Sequence, residues 1–229
     1  MARVTSTFSA VRIGILGATG PAGSSLAARL ASVGFDVVVG SRSKYKALEV
    51  RDKLCDKWSN FDLSIDAADN VGASEADVVV IATPWDAASS TAASVAKQLD
   101  GKVVISMANA LARVGHEFQP LVPPRGSVAA NVQAAIPKSL VAAGFHHVPA
   151  KELGDLNEPV ESDVLICSDH AAATNTTVDI VRRIPNMRPL DAGELSNAAP
   201  IEAFAAVILQ LNVRYKTRAA IKLTGIDVE

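Results

Sequence analysis

Aromatic side chains are only 4% of these 229 residues, so any core must come from aliphatic residues. The two cysteines, Cys55 and Cys167, lie far apart and form no C-x-x-C pair. That excludes a disulfide scaffold and reads as two reduced thiols in a cytoplasmic protein. No apolar run approaches the roughly 20 residues of a membrane span, so no membrane association is expected. Residues 1–10, MARVTSTFSA, lack the apolar middle of a signal peptide and read as a frayed N-terminal tail. A formal net charge of −2 gives nucleic acid or an acidic membrane nothing to attract, and neither is expected as a partner.

Several reactive motifs are missing too. There is no H-E-x-x-H and no Cys/His cluster, so no metal is expected. There is no G-x-S-x-G elbow and no G-x-x-x-x-G-K-[ST] loop, which speaks against acyl enzymes and NTPases. The only tyrosines are Tyr45 and Tyr215, and neither has a lysine one helical turn on. Enzymes that oxidise alcohols need such a group to move the hydroxyl proton. Direct hydride passage between two bound rings needs alignment and exclusion of water instead.

What the chain does have is a glycine-rich junction at residues 11–23, VRIGILGATGPAG. The apolar run predicts a buried strand, and the alanine-rich stretch after it predicts a helix. Backbone N–H groups at such a helix start favour phosphate. Gly17 suits a sharp turn, Gly20 leaves no side chain between backbone and ligand, and Gly23 allows close helix–strand packing. Residues 21–33 then predict a helix and 36–40, DVVVG, a second buried strand, completing a βαβ unit. At the end of that strand, where NAD enzymes place Asp or Glu, stand Ser41, Arg42 and Ser43, with Lys44 and Lys46 beyond. A hydroxyl, a guanidinium and ammonium groups suit a 2′-phosphate, which predicts NADP.

Further along, 45–58 predicts a surface helix and 61–65 a short third strand. Residues 78–82, VVVIA, predict a strand ending at Thr83-Pro84-Trp85, with Ser89 one turn after Trp85 in a helix over 87–99. Trp85 reads equally as a residue over the cofactor or as core. Residues 102–106 predict a strand leading to Met107-Ala108-Asn109, 120–126 a loop, and 128–137 a strand or a helix. Residues 140–150 read as strand and turn, 163–167 as a strand, and 170–184 as a helix opened by Asp169. Residues 187–190 predict an edge strand. Residues 194–216 predict the longest helix, apolar at Ile201, Phe204, Ala205, Ile208 and Leu211. At most one of His146 and His147 is expected to face a site, because neighbours on a strand point opposite ways.

The chain resembles the NADPH:F420 reductase family, also called F420-dependent NADP oxidoreductases, over residues 11–222. The matching segments are Gly17-Ala18-Thr19-Gly20-Pro21-Ala22-Gly23, Val38-Val39-Gly40-Ser41-Arg42 with Lys46, and Pro84-Trp85. His146 with Val148-Pro149-Ala150 follows, and then the long block Arg188-Pro189-Leu190-Asp191-Ala192-Gly193-Glu194-Leu195-Ser196-Asn197. The resemblance implies an α/β fold: an N-terminal Rossmann domain with a doubly wound parallel sheet over 11–150, and a small α/β C-terminal part over 151–229 that closes the cofactor cleft. It implies reversible hydride transfer between NADPH and the deazaflavin coenzyme F420. On this map Thr19, Gly20, Pro21 and Ala22 hold the pyrophosphate, and Ser41, Arg42 and Lys46 the 2′-phosphate. Trp85, Ser89 and Ala150 lie along the nicotinamide. Met107, Ala108, Asn109 and Pro149 form the deazaflavin pocket, with Ala219 near its closing end. No side chain is assigned a catalytic role. The family also implies a homodimer, with the helix from Glu194 as its contact. Two other readings stand beside this one: an NADPH-dependent reductase of a small imine or metal-bound acceptor, and a non-catalytic NADP-sensing module.

Overall fold

The computed structural model describes residues 11–226, and the tail expected at 1–10 lies outside them. In chain order, β1 (Arg12–Leu16), α1 (Pro21–Ser32), β2 (Asp36–Ser41), α2 (Lys44–Lys57) and β3 (Ile65–Asp69) make the first half. The short α3 (Asn70–Ala73) leads back to β4 (Val78–Ile81), α4 (Trp85–Ser94), α5 (Ala96–Leu99) and β5 (Val103–Ser106). A hairpin of β6 (Leu111–Val114) and β7 (Glu117–Pro120) precedes α6 (Val128–Ala135), β8 (Leu140–Ala143) and α7 (Ala150–Leu153). The chain finishes with β9 (Ser162–Ser168), α8 (Ala171–Arg182), β10 (Met187–Asp191) and α9 (Ala198–Tyr215).

Eight strands form one sheet in the order β10-β9-β8-β5-β4-β1-β2-β3. All neighbours run parallel except β8 and β9. This is the doubly wound α/β arrangement. The chain winds outward from β1 to β3, then returns to β4 and winds the other way, so β1 and β4 flank the switch point. Strand alternation divides the core between the two faces. Ile13, Ile15, Val37 and Val39 pack with Leu26 and Leu30 of α1 and Ile180 and Val181 of α8. Val38, Val79, Ile81 and Val104 pack with Ala88 and Ala92 of α4 and Val132 of α6. The sheet runs unbroken across the boundary expected at residue 150, since β9 and β10 extend it beyond β8.

Five local expectations change. The third strand lies at 65–69, not 61–65. Its partner β2 pairs Val37 with Ile65 through Ser41 with Asp69, while the apolar cue at Phe61 and Leu63 packs on Trp58 instead. The helix expected over 87–99 starts at Trp85 and breaks at Val95. The β6–β7 hairpin was not anticipated, because its short strands are mostly solvent-facing and carry no buried pattern. Asp169 does not cap α8: its carboxylate accepts from the Leu195 N–H (2.9 Å). The helix expected from residue 194 opens as a 3-10 turn over Leu195–Asn197, and α9 follows. Of its expected apolar stripe, Ile201, Ala205 and Ile208 are buried, whereas Phe204 and Leu211 are exposed beside Val207. Residues 128–137, open between strand and helix, form α6, with the Ser127 hydroxyl accepting from Ala130 N–H (3.0 Å).

Two buried charges tie the later elements down. Arg29 of α1 donates to the carbonyls of Leu153 (2.9 Å), Glu152 (3.1 Å), Glu158 (3.0 Å) and Asp155, so one guanidinium satisfies the turn after α7. Asp163 of β9 takes a two-pronged bond from Arg188 of β10 (2.8 and 2.7 Å) and another from Leu223 N–H in the chain after α9. The Arg188 donors hold the Asp163 carboxyl below the usual carboxylate range.

Replacing Arg29 with Met strips one buried and three part-buried carbonyls of their donor, and a loss of about 3 kcal/mol is expected, read from urea unfolding midpoints. Because the Asp163 value is depressed in the fold, its stabilisation is present above the unfolded carboxylate value of about 4 and is lost as pH falls through the folded value. The stability gap between wild type and Asp163→Asn is therefore full at neutral pH and closes under acid, as measured by the same unfolding series.

Candidate active site at the switch point

Gly17 follows β1 in the left-handed region, at φ 87°. A Cβ there would stand 2.6 Å from the Thr83 nitrogen, so the turn after β1 and the end of β4 are in backbone contact. The Gly20 N–H donates to the Gly17 carbonyl (3.0 Å) and closes the turn. A Cβ on Gly20 would meet only the Gly17 oxygen, at 3.5 Å, which leaves this face of the loop open. On Gly23 it would lie 2.8 Å from the Ala18 backbone, so α1 is seated directly on the turn. Thr19 and Pro21 are exposed and Ala22 half-buried, with Pro21 in the first turn of α1, where no side chain caps the free N–H groups. An open loop leading into an uncapped twelve-residue helix fits a pyrophosphate.

The basic turn lies alongside. Leu16 pairs with Gly40, so Ser41 comes level with Gly17. Ser41 is buried and its hydroxyl accepts from Ser43 N–H (3.4 Å), while Arg42, Lys44 and Lys46 are exposed. No carboxylate occupies the end of β2.

Past the switch point, register aligns the remaining strand ends: Leu16 with Ile81, Ile81 with Ser106, and Ser106 with Ala143. Consequently Thr83, Trp85, Met107-Ala108-Asn109 and the 144–150 turn follow one edge of the sheet. Trp85 is half-buried against the cluster that holds Ile81 and Ala108, and Ser89 follows one turn on. Met107 and Ala108 are buried. The Asn109 amide donates to the His146 carbonyl (2.6 Å), which joins the β5 and β8 exits. Pro149 is the N-cap of α7 and Ala150 its first residue. Ala219 reaches the same corner: its N–H donates to Asn212, and Arg218 beside it pairs with Glu152 of α7 (2.9 Å).

Several buried polar atoms at this edge lack a hydrogen-bond partner, among them the Thr83 and Ser106 hydroxyls, Asn109 Oδ1 and both ring nitrogens of His146. Such orphans are costly unless a ligand or water completes them. Thr83 stands with Pro84 and Trp85 at the end of β4, where the sequence places all three over the cofactor. Both histidines are buried. His147 Nε2 meets the Asp163 carbonyl (2.8 Å), while His146 Nε2 lies 3.7 Å from Glu202 Oε1. Burial, reinforced by His147, pushes His146 down to about 3, and burial pushes Glu202 up to about 7 against two backbone N–H donors. Glu202 was missed. Its signal is a lone acid inside the apolar run AAPIEAFAAVIL.

The described residues also form a hollow of about 500 Å³ lined by Arg125, Gln133, Pro137 and His170. It lies at the opposite edge, because β9 runs antiparallel to β8 and its end returns to the start of β8. Among the described residues, no group of three or more His, Cys, Asp or Glu is placed to hold a metal ion. At the switch-point edge the unsatisfied Thr83 and Ser106 hydroxyls and the Asn109 amide oxygen can position a ligand by hydrogen bonds.

The family model for F420-dependent NADP oxidoreductase matches residues 12–110. The F420-dependent NADP reductase of Methanocaldococcus jannaschii is 34% identical over 224 residues, spanning 95% of this chain and all of that one. The enzyme of the same name from Methanothermobacter thermautotrophicus is 32% identical over 222 residues, 94% of this chain and 96% of its own. Among solved structures, an Arthrobacter sp. FB24 protein whose name suggests an F420-dependent NADP reductase superposes with a TM-score of 0.75 at 22% identity, over 90% of this chain and 95% of that one. With near end-to-end kinship to two such reductases, on a fold whose switch point carries the glycine turn and the basic turn side by side, this chain belongs to the F420-dependent NADP reductase family.

Proposed function

We propose that the protein transfers hydride reversibly between NADPH and the deazaflavin coenzyme F420, with both carriers held along the edge where β1, β4, β5 and β8 end. The NADPH half is carried by one juxtaposition: the open face of Gly20 beside a carboxylate-free turn of Ser41, Arg42 and Lys46. The deazaflavin half rests on the family kinship. When bound, the two carriers supply the chemistry themselves, one giving a hydride and the other taking it.

The chain's part is placement. Thr19, Gly20, Pro21 and Ala22 present the loop and the first turn of α1 to the pyrophosphate. Ser41, Arg42 and Lys46 hold the 2′-phosphate. Trp85, Ser89 and Ala150 line the nicotinamide side, with the Thr83 hydroxyl as a further polar contact. Met107, Ala108, Asn109 and Pro149 form the wall for the deazaflavin, and Ala219 its closing end. The segment after residue 150 closes the slot, because the stretch after α9 is hooked to β9 and to α7. An aligned and dry pair of rings needs no acid or base. The exposed apolar face of α9, with Phe204, Val207 and Leu211, is the contact of a homodimer. The protein works in the cytoplasm. No helix among the described residues is long and apolar enough to cross a membrane.

Mixing protein, NADPH and deazaflavin is expected to lower one absorbance band as the other changes in step. Tight NADPH binding with no exchange would leave a sensor and overturn turnover. Arg42→Ala is expected to cut kcat/KM for NADPH by about tenfold or more, and to leave NADH within about twofold. Equal losses with both nucleotides would make Arg42 a surface residue without a role in the choice.

A further inference from the structure

The buried pair of His146 and Glu202 has no part in the transfer described above. The His146 side chain is wholly buried, and neither ring nitrogen has a hydrogen-bond partner. Its Nε2 stands 3.7 Å from Glu202 Oε1, just beyond bonding distance. Glu202 accepts from the N–H groups of Val128 (2.8 Å, at Oε2) and Ala129 (3.0 Å, at Oε1, the oxygen nearer His146) at the start of α6. The main chain of His146 is held in turn by the Asn109 amide (2.6 Å). A continuous line therefore runs from α9 and α6, through the His146 ring and backbone, to the Met107–Asn109 segment.

Two facing acceptors in a dry interior repel unless a proton lies between them. One proton on the carboxyl can be given to the ring nitrogen while both carboxyl oxygens go on accepting from α6. The surroundings leave the pair to itself. Titratable neighbours are His147 beside the ring and Cys167 on β9, whose thiol is pushed up to about 12 by burial and by Glu202. Asp169 and Asp191 also act on Cys167, α6 carries no charged residue, and β7 brings only the exposed Glu117 against α9.

We propose that Glu202 is a positioning residue for the second carrier: a proton shared with His146 draws the ring to α9 and sets the 144–149 turn, and the Asn109–His146 bond passes that setting to the wall of the deazaflavin pocket. The inference rests on the reading of Met107–Asn109 as that wall. Burial raises the Glu202 carboxyl to about 7, so the proton is present at lower pH and leaves as pH rises through neutrality.

The test is the KM for each carrier across about pH 6 to 8.5, in wild type, Glu202→Gln, Glu202→Ala and Asn109→Ala. The Gln amide can donate to the ring at every pH, although it keeps only one oxygen to accept from α6. The wild-type KM for the deazaflavin is expected to climb about fivefold over this range relative to Glu202→Gln, a comparison that cancels ionisation of the carrier itself. Glu202→Ala is expected to be weak at every pH, with the KM for NADPH within about twofold throughout, which also reports an intact fold. Parallel profiles for wild type and Glu202→Gln overturn the proposal, as does a rise for both carriers together. If Asn109→Ala leaves the deazaflavin KM unchanged, the placement of that ring fails and the proposal with it. If Asn109→Ala raises it and Glu202→Ala does not, only the coupling through Glu202 fails. Wild type needs no substitution, so a variant that misfolds does not remove the test: ring-nitrogen NMR shifts of His146 that stay flat through neutrality also overturn the proposal.

Discussion

Backbone-to-backbone contact between the turn after β1 and the end of β4 is the constraint on which the rest of the molecule depends. Gly17 stands so near Thr83 that no Cβ fits between them. That contact brings two strands side by side although β2 and β3 intervene in the chain, and it fixes where the winding reverses. The sheet's twofold alternation then requires a hydrophobic layer on each face, which α1 and α8 supply on one and α4 and α6 on the other. The crevice at the reversal needs no further construction. It follows from two connections leaving the same edge in opposite directions.

In a chain so poor in aromatics, polar side chains do much of the fastening in the second half. Arg29 reaches from α1 to four carbonyls, and Asp163 gathers Arg188 and the chain after α9. Glu202 reaches from α9 to the start of α6. Arg29 and Glu202 are held by backbone partners and Asp163 chiefly by the Arg188 guanidinium, which is what makes their burial tolerable. The Arg29 bonds fall on the segment between β8 and β9, and Glu202 lies beside His146 in the turn after β8. The corner after β8 is thus assembled from distant parts of the chain, whereas the glycine turn and the basic turn belong to one βαβ unit.

That contrast explains what could be read in advance. The strands at 12–16, 36–41 and 78–81 are apolar runs bounded by turn residues, and the glycine spacing and the basic turn belong to one βαβ unit. Trp85 and Ser89 follow a strand by the ordinary helical spacing. Phe61 and Leu63 look like strand residues yet serve the Trp58 cluster, while the edge strand itself, IDAAD, is half polar. The β6–β7 hairpin carries no buried alternation to betray it. The setting of Glu202 is not legible in the sequence, because it lies in a pair of amide donors from a distant helix.

By itself, the order of residues determined the α/β class, the glycine junction, the absence of a carboxylate after β2 and the family to which the chain belongs, since all of these are local patterns or runs of matched residues. Tertiary structure alone decided that β9 turns antiparallel and carries one sheet through to β10, that α9 keeps one apolar face outward, and that His146 meets Glu202. The reason is physical. Local preference acts over a few residues, but hydrogen-bond pairing between distant strands and the burial of a charge are settled only when remote segments share one interior.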